Sequence, residues 1–263
     1  MMVNYVISLK DSEKRRQHII SEFKIHNIDF AFFDALYPSE ILNEHINNYL
    51  PNLKESSLTE VEKACFMSHY MLLLKGINEN YDYFTIFEDD IILGENSNKY
   101  LNNYDWFEHL DVRKEFIIKL ESFPKKVIKG TPRYSVLDRE IFKLNRSYVG
   151  AAGYIISKRA AIKAVKLIKQ LPPHSLDAID ELLFNHFISN KELTVFQLNP
   201  ALCIQERFYN NEHSALPSYL ETDRAIRLKK IGEYRKKKNI LNSIAKEFRR
   251  FVEKIRRRTV EFK

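Results

Sequence analysis

Residues 81–93, Tyr-Asp-Tyr-Phe-Thr-Ile-Phe-Glu-Asp-Asp-Ile-Ile-Leu, constrain this chain more than any other stretch. Phe84 to Phe87 read as a buried strand, aromatic and β-branched, that runs directly into Glu88, Asp89 and Asp90 before apolar character resumes at Ile91. No Gly, Asn or Pro marks the triplet as an ordinary turn. Two carboxylates ~4 Å apart at an effective dielectric of ~20 repel by ~4 kcal/mol, and a bound cation reverses that sign. Oxygen ligands at a strand end suit a hard divalent ion, Mg²⁺ or Mn²⁺, which commonly bridges protein carboxylates to substrate phosphates. The alternative reading is a solvated acidic corner.

The rest of the chain is consistent with one α/β core around that strand. At 263 residues, 44% hydrophobic and 13% aromatic, it has enough apolar side chains for one large core and a small appendage. The start lacks the pattern of a signal peptide and no run of 18 apolar residues occurs, so the expectation is a cytoplasmic protein. Cys65 and Cys203 are too few for a disulfide framework or a zinc site and read as free buried thiols. From Asp223 onward sixteen Lys or Arg face five Asp or Glu, a net of +11 that leaves the body at −4 within the total of +7. That asymmetry argues against a nucleic-acid surface over the main domain.

In chain order, a strand Val3–Leu9 precedes a helix capped by Asp11 or Ser12, with Ile19, Ile20 and Phe23 on its inner side and Arg15 and Arg16 in its first turns. Basic residues sit poorly at a helix N-terminus, so the two arginines are expected either to face an anion above the strand end or to be solvated. Phe30–Phe33 reads as a second strand, followed by the loop Asp34 to Pro38. A β-α-β opening places ligands beyond the strand C-termini, but G-x-G-x-x-G and P-loop motifs are absent. Residues 38–57 read as irregular. Thr59-Glu60-Val61-Glu62 is a capping box that opens a helix over about 60–78, with Ala64, Met67, Met71 and Leu74 on the buried face and Cys65, Ser68 and His69 elsewhere.

Leu58-Thr59-x-x-Glu62-x-Ala64-Cys65-x-x-Ser68-His69, followed by Ile86-Phe87-Glu88-Asp89-Asp90, resembles the signature of glycosyltransferase family 25, the bacterial lipooligosaccharide galactosyltransferases. Val6-Ile7-Ser8-Leu9 with Arg15-Arg16, and Phe33-x-Ala35, are similar to the family's start. Gly150-Ala151-Ala152-Gly153-Tyr154-Ile155-Ile156-Ser157 with Ala160, then Asp180, Pro200 and Gln205, fit its second half. Two departures lie near the expected nucleotide pocket: Ser8 stands where Asn is usual, and Leu36-Tyr37-Pro38 replaces Asp-Gly. The resemblance implies an A-type glycosyltransferase fold, a single Rossmann-like mixed sheet flanked by helices. It further implies a uridine diphosphate sugar donor, a Mn²⁺-type (or Mg²⁺) ion and a lipooligosaccharide or other glycolipid acceptor. Asp90 is then the first metal ligand with Glu88, while Glu88 or Asp89 reaches the ribose or a metal-bound water. Ser8, Leu9, Arg15, Ala35, Ser68, His69, Gly153, Tyr154 and Gln205 complete the expected nucleotide-sugar contacts.

After a strand Phe116–Leu120 ending at Glu121, residues Lys125–Arg146 read as a long basic loop, a candidate acceptor flap. Gly150 to Gly153, beside the strand Tyr154–Ile156, allow close backbone approach to a ligand or meet a packing requirement. A helix Lys158–Lys169 and a strand Leu193–Leu198 follow. Asp177, Asp180 and Glu181 form a second acidic cluster at a helix start, where acids also favour the dipole. The family's β-linkages from α-linked donors imply inversion, which needs a general base. Asp180 is the first candidate, with Glu181 and Asp177 behind it, and His213 or Ser214 is a further contact to metal or diphosphate.

Three other classes share parts of this pattern. A receiver-like domain needs its acids after the first strand, which is not the order here. A nuclease or other phosphoryl transferase keeps the metal, and a polyanion-binding adaptor needs only the basic tail. In that tail, residues 223–263 after a domain of 1–222, Ile240, Ile244, Phe248, Phe251 and Ile255 recur at helical steps among Lys246, Arg249, Arg250 and Lys254. A helix over about 239–258 reads as an interfacial one on an anionic membrane, placing the enzyme on the inner face of the cytoplasmic membrane, with packing on protein as the alternative.

Overall fold

The computed structural model describes residues 3–107, 115–123, 127–209 and 257–263. The chain runs β1 (Asn4–Ser8), α1 (Glu13–Ile25), β2 (Ala31–Asp34), α2 (Glu40–Tyr49), α3 (Glu60–Asn78), β3 (Tyr83–Glu88), β4 (Ile91–Leu93) and α4 (Ser97–Leu101). It continues through β5 (Ile117–Lys119), β6 (Glu121–Ser122), β7 (Val127–Val136), β8 (Arg139–Leu144), β9 (Gly153–Ser157), α5 (Lys158–Gln170), β10 (Val195–Asn199), β11 (Cys203–Gln205) and β12 (Arg257–Arg258). A mixed sheet is ordered β12-β7-β8-β10-β5-β9-β3-β1-β2, and a smaller one β4-β11-β6. The expected α/β class, a large mixed sheet flanked by helices, is what the structure has.

β1 lies between β2 and β3, parallel to both. All five of its residues are buried, the continuous burial that a strand covered on both faces requires. Alternation then divides the core in two. Tyr5, Ile7, Phe84, Ile86, Tyr154 and Ile156 face α2, α3 and α5, whereas Val6, Phe87 and Ile155 face α1 with Ile19 and Phe23. The second face is aromatic, since Trp106 and Phe107 stack edge to face at 4.7 Å and Phe107 meets Phe116 at 5.5 Å.

Both sides of the capping box on α3 are made: Thr59 Oγ1 accepts from Glu62 N, and Glu62 Oε2 accepts from Thr59 N at 3.0 Å. The assignment of buried face on this helix needs correction. Ser68 and His69 are buried, as are Phe66, Tyr70, Leu72 and Leu73, while Met71 and Leu74 are only half-buried. α3 is packed against the sheet, α2 and α5 at once, so it lacks the solvated back that a one-stripe reading assumes. On α1, Ile20 is exposed although Ile19 and Phe23 are buried.

Two segments expected to be irregular are not. Within 38–57 lies α2, capped by Ser39, whose Oγ accepts from Leu42 N, with Leu42 and Ile46 as its buried stripe. Asn and Glu on the outer face hid that stripe. Within the stretch 125–146 read as a basic loop lies the hairpin β7–β8, paired at Tyr134↔Ile141 and Val136↔Arg139, with β8 extending the sheet beyond β10. The expected tail is also corrected at its end. Arg257–Arg258 form a strand against β7, Val260 is buried, and Ser122 Oγ donates to Val260 O at 2.8 Å. Arg139 donates to the carbonyls of Pro200, Ala201, Glu95 and Lys263, so the last seven residues belong to the main body. Of the helix expected over 239–258, residues 239–256 lie outside the described residues, as do His213 and Ser214, and Arg257–Arg258 are strand.

Candidate active site

A cavity of about 520 Å³ opens beyond the C-terminal ends of β1, β2 and β3. That is where an open α/β sheet binds ligands, and the size suits a nucleotide-sized molecule. Ser8 and Leu9 end β1, Ala35 and Leu36 follow β2, and Glu88, Asp89 and Asp90 follow β3; all line the cavity. Arg15 from α1, Ser68, His69 and Cys65 from α3, Asp180 and Glu181 from the helical stretch at 179–189, and Gln205 and Arg207 complete much of the wall. Of the residues expected at the nucleotide sugar, Gly153 and Tyr154 do not reach the cavity. Tyr154 is fully buried against His69, and a Cβ at Gly153 would meet Cys203 Sγ and the Phe87 ring. The glycine allows close packing between strands, and Tyr154 stacks on the His69 ring. Asp177 stands aside as well, its Oδ1 accepting from Ala178 N at 2.8 Å.

The three strand-end acids diverge. Asp89 pairs with Arg15, whose charge is upheld against its burial by Asp89, Asp90 and Glu88. Arg16 serves another purpose, joining Asp34 to the carbonyl of Ser8 at 3.1 Å and so clamping the ends of β1 and β2. Glu88 Oε2 and both oxygens of Asp90 converge on Gln205 Nε2, each at 3.3 Å. Arg207 donates to Gln205 Oε1 at 3.0 Å, which fixes the amide with its NH₂ toward the acids.

Burial, and next the Glu88 charge, push the Asp90 carboxyl up to about 7. Glu88 moves the other way: burial would raise it, but the neighbouring His69 imidazole, 3.5 Å away, then Arg207 and Arg15, bring it below its usual value. The paired oxygens and the upward shift of Asp90 define a donor set that is short of positive charge. A hard divalent cation fits that chemistry, and Asp90 with Glu88 are the residues that would hold it.

Ser68 Oγ donates to Ala64 O at 2.8 Å and accepts from Leu36 N at 2.9 Å, tying the loop after β2 to α3. Also lining the cavity, Gly150 N donates to Asp180 Oδ2 at 3.1 Å. Gly150 has φ +99, and a Cβ there would lie 2.6 Å from Glu121 Oε2, so only glycine fits. Its carbonyl accepts from Lys119 Nζ, which also donates to Glu121 Oε2 at 2.8 Å, with neither side chain exposed. Glu121 Oε2 in turn accepts from Ala152 N at 3.2 Å.

This buried pair was not anticipated from sequence, although a signal existed. In Phe-Ile-Ile-Lys-Leu-Glu, charges two apart fall on one face of a strand that is otherwise apolar throughout. Cys65, Phe123 and Arg207 are further wall residues not assigned to the site beforehand, and Cys65 is half-buried where full burial was expected.

An open α/β sheet with its acids and a nucleotide-sized cavity at the strand ends defines the class of α/β proteins that bind a ligand at the strand ends, and comparison with known proteins narrows it. A family model described as "Glycosyltransferase family 25 (LPS biosynthesis protein)" matches residues 1–183. The lipooligosaccharide biosynthesis protein lic2B of Haemophilus influenzae is 41% identical over 262 residues, 98% of this chain and 96% of that protein. The lacto-N-neotetraose biosynthesis glycosyltransferase LgtE of Neisseria meningitidis serogroup B is 39% identical over 85% of this chain and 82% of its own length. A solved glycosyltransferase involved in glycosylation of the major capsid of PBCV-1 is a distant likeness, with TM-score 0.42, 10% identity, and 86% and 98% of the two chains covered. The chain belongs to glycosyltransferase family 25.

Proposed function

We propose that this glycosyltransferase moves a hexose, galactose as first candidate, from a uridine diphosphate sugar to a lipooligosaccharide core acceptor with inversion and with a divalent ion. The observation that carries the reading is one cavity lined by two sets of acids, Glu88 and Asp90 at the end of β3 and Asp180 beside Gly150. The names of the relatives, in lipooligosaccharide and lacto-N-neotetraose biosynthesis, support the acceptor class. A Mn²⁺ or Mg²⁺ ion held by Asp90 and Glu88 would stabilise the charge that develops on a diphosphate leaving group.

The chain's own residues divide the remaining tasks. Ser8, Leu9, Ala35 and Leu36 form the floor for the nucleoside, and Arg15 presents its guanidinium beside the acids, where a diphosphate needs cationic partners. Asp180, held through Oδ2 by the Gly150 amide, takes the proton of the acceptor hydroxyl as that oxygen attacks the anomeric carbon. Tyr37 and Pro38, at the rim, give the sugar rings an apolar surface.

Localisation at a membrane rests on the basic apolar stripe of residues 239–258 and is part of the proposal. Among the described residues no helix is long and apolar enough to cross a membrane. Calorimetry of several nucleotide diphosphate sugars, with and without Mn²⁺, tests the donor and the ion together. Tight binding of a uridine diphosphate hexose only when Mn²⁺ is present is the expected result, and metal-independent binding of every donor alike would defeat the proposal.

A further inference from the structure

The helical spacing of Cys65 and His69 puts both side chains on one face of α3, and that face meets Glu88 at the end of β3. One ligand atom from each of the three lies within 4.8 Å of the other two. His69 Nε2 is 3.5 Å from Glu88 Oε1; it is buried, in a residue only 1% exposed, and lacks a hydrogen-bond partner among the described residues. An imidazole nitrogen left without a partner at that depth is costly unless something binds it. Its other nitrogen, Nδ1, is 3.1 Å from Tyr154 Oη, and the two rings stack at 6.0 Å. With Nδ1–H donating to Tyr154, the lone pair of Nε2 is directed at the cluster, the arrangement that orients a metal-binding histidine.

We propose that Cys65, His69 and Glu88 form a second divalent-cation site, selective for thiophilic ions such as Zn²⁺, distinct from the oxygen cluster but sharing Glu88 with it. A thiolate, an imidazole and a carboxylate are a three-ligand set that prefers zinc over magnesium or manganese. Tetrahedral zinc with bonds of about 2.0–2.3 Å separates its ligands by about 3.3–3.8 Å. The His69–Glu88 distance already satisfies that, and a rotamer adjustment of about 1 Å at Cys65 closes the rest. All three residues line the cavity, so the fourth position opens toward solvent or ligand. Binding releases the Cys65 thiol proton to solvent, since the thiolate is the ligand. Zinc held there takes Glu88 away from Asp90 and lies within the donor cavity, so it acts as an inhibitor and not as a cofactor.

The proposal goes beyond the donor and acceptor assignment, and it is tested without any transfer assay, so its failure leaves that assignment standing. Co²⁺ added to the full chain should produce a thiolate-to-cobalt charge-transfer absorption, lost in Cys65→Ser and displaced by Zn²⁺. Zinc affinity, measured by competition with a chromophoric chelator, should fall at least ~10-fold in Cys65→Ser and His69→Gln. Tyr154→Phe should cost about 10-fold through its support of Nδ1. An absorption that persists in Cys65→Ser, or zinc affinity equal in all four proteins, overturns the site. A second measurement on the unaltered chain guards against variants that fail to fold. Zn²⁺ should slow alkylation of Cys65, read by peptide mass, and unchanged labelling at saturating zinc also overturns it.

Discussion

Replacing Lys119 with Met should destabilise the protein out of proportion to the conservative change in volume. Lys119 and Glu121 are both fully buried, paired at 2.8 Å, and the ammonium also donates to the Gly150 carbonyl above the rings of Tyr148 and Phe184 at 5.3 and 4.7 Å. Removing one member of a buried pair strands the other charge, at ~3–5 kcal/mol. Burial already pushes the Glu121 carboxyl up, against the pull of Lys119, so in Lys119→Met it escapes part of that cost by taking a proton. A carboxyl raised in the folded state adds stability below its unfolded pKa and loses it as pH rises, so the defect should be larger at pH 8 than at pH 5. The double variant Lys119→Met/Glu121→Gln strands no charge and loses mainly the Gly150 carbonyl's donor, about 1–3 kcal/mol. Trp106, the chain's single tryptophan and buried, reports denaturant unfolding by fluorescence. The reasoning is refuted if Lys119→Met costs less than ~1 kcal/mol, or if the single effects add to the double within ~0.5 kcal/mol.

Asp90→Asn should keep the fold but lose most metal-dependent donor turnover, because an amide is a poor ligand for a hard cation; unchanged donor hydrolysis would count against Asp90. Asp180→Asn should spare donor binding and lower transfer at least ~10²-fold, and if Glu181→Gln does so instead the base is the neighbour. In metal-free protein, stability should fall between pH 5 and 7 with a slope of up to ~1.4 kcal/mol per unit. The cause is Asp90, whose carboxyl, at about 7 instead of 3.8, contributes fully below its unfolded value and loses that contribution as pH rises. Glu121 adds a slope of the same sign, so only the part absent from Asp90→Asn and removed by saturating Mn²⁺ belongs to the cluster; no difference between the two proteins would exclude it. For the membrane, changing Lys246, Arg249, Arg250 and Lys254 to Gln is the sound test, because truncation would also remove Val260 and its packing on β6. At ~1 kcal/mol per charge the variant should lose most binding to anionic vesicles, and equal sedimentation would end that proposal.

Local chemistry was enough to read several features from the sequence alone. The capping box fixed the start of α3 to the residue because Thr59 and Glu62 satisfy each other without any partner from elsewhere. The strand-end position of Glu88 to Asp90 followed from an apolar run meeting three acids, and β1 showed as a strand around Tyr5, Val6 and Ile7. Features that depend on distant residues were decided only by the tertiary structure. α2, within 38–57, is polar on the side that meets water, and β7–β8 takes its order from pairing with distant strands, so pattern alone read both as loops. Asp89 turns away from Asp90 because Arg15, 74 positions earlier, lies beside it, and Gln205 joins Glu88 to Asp90 from more than a hundred positions away. His69 and Cys65 face Glu88 only because α3 packs across the end of β3, and Lys119 can be buried only because Glu121 and the Gly150 carbonyl meet it there. A sequence states which groups can ionise or bind; folding sets the separations and the burial that determine which of them do.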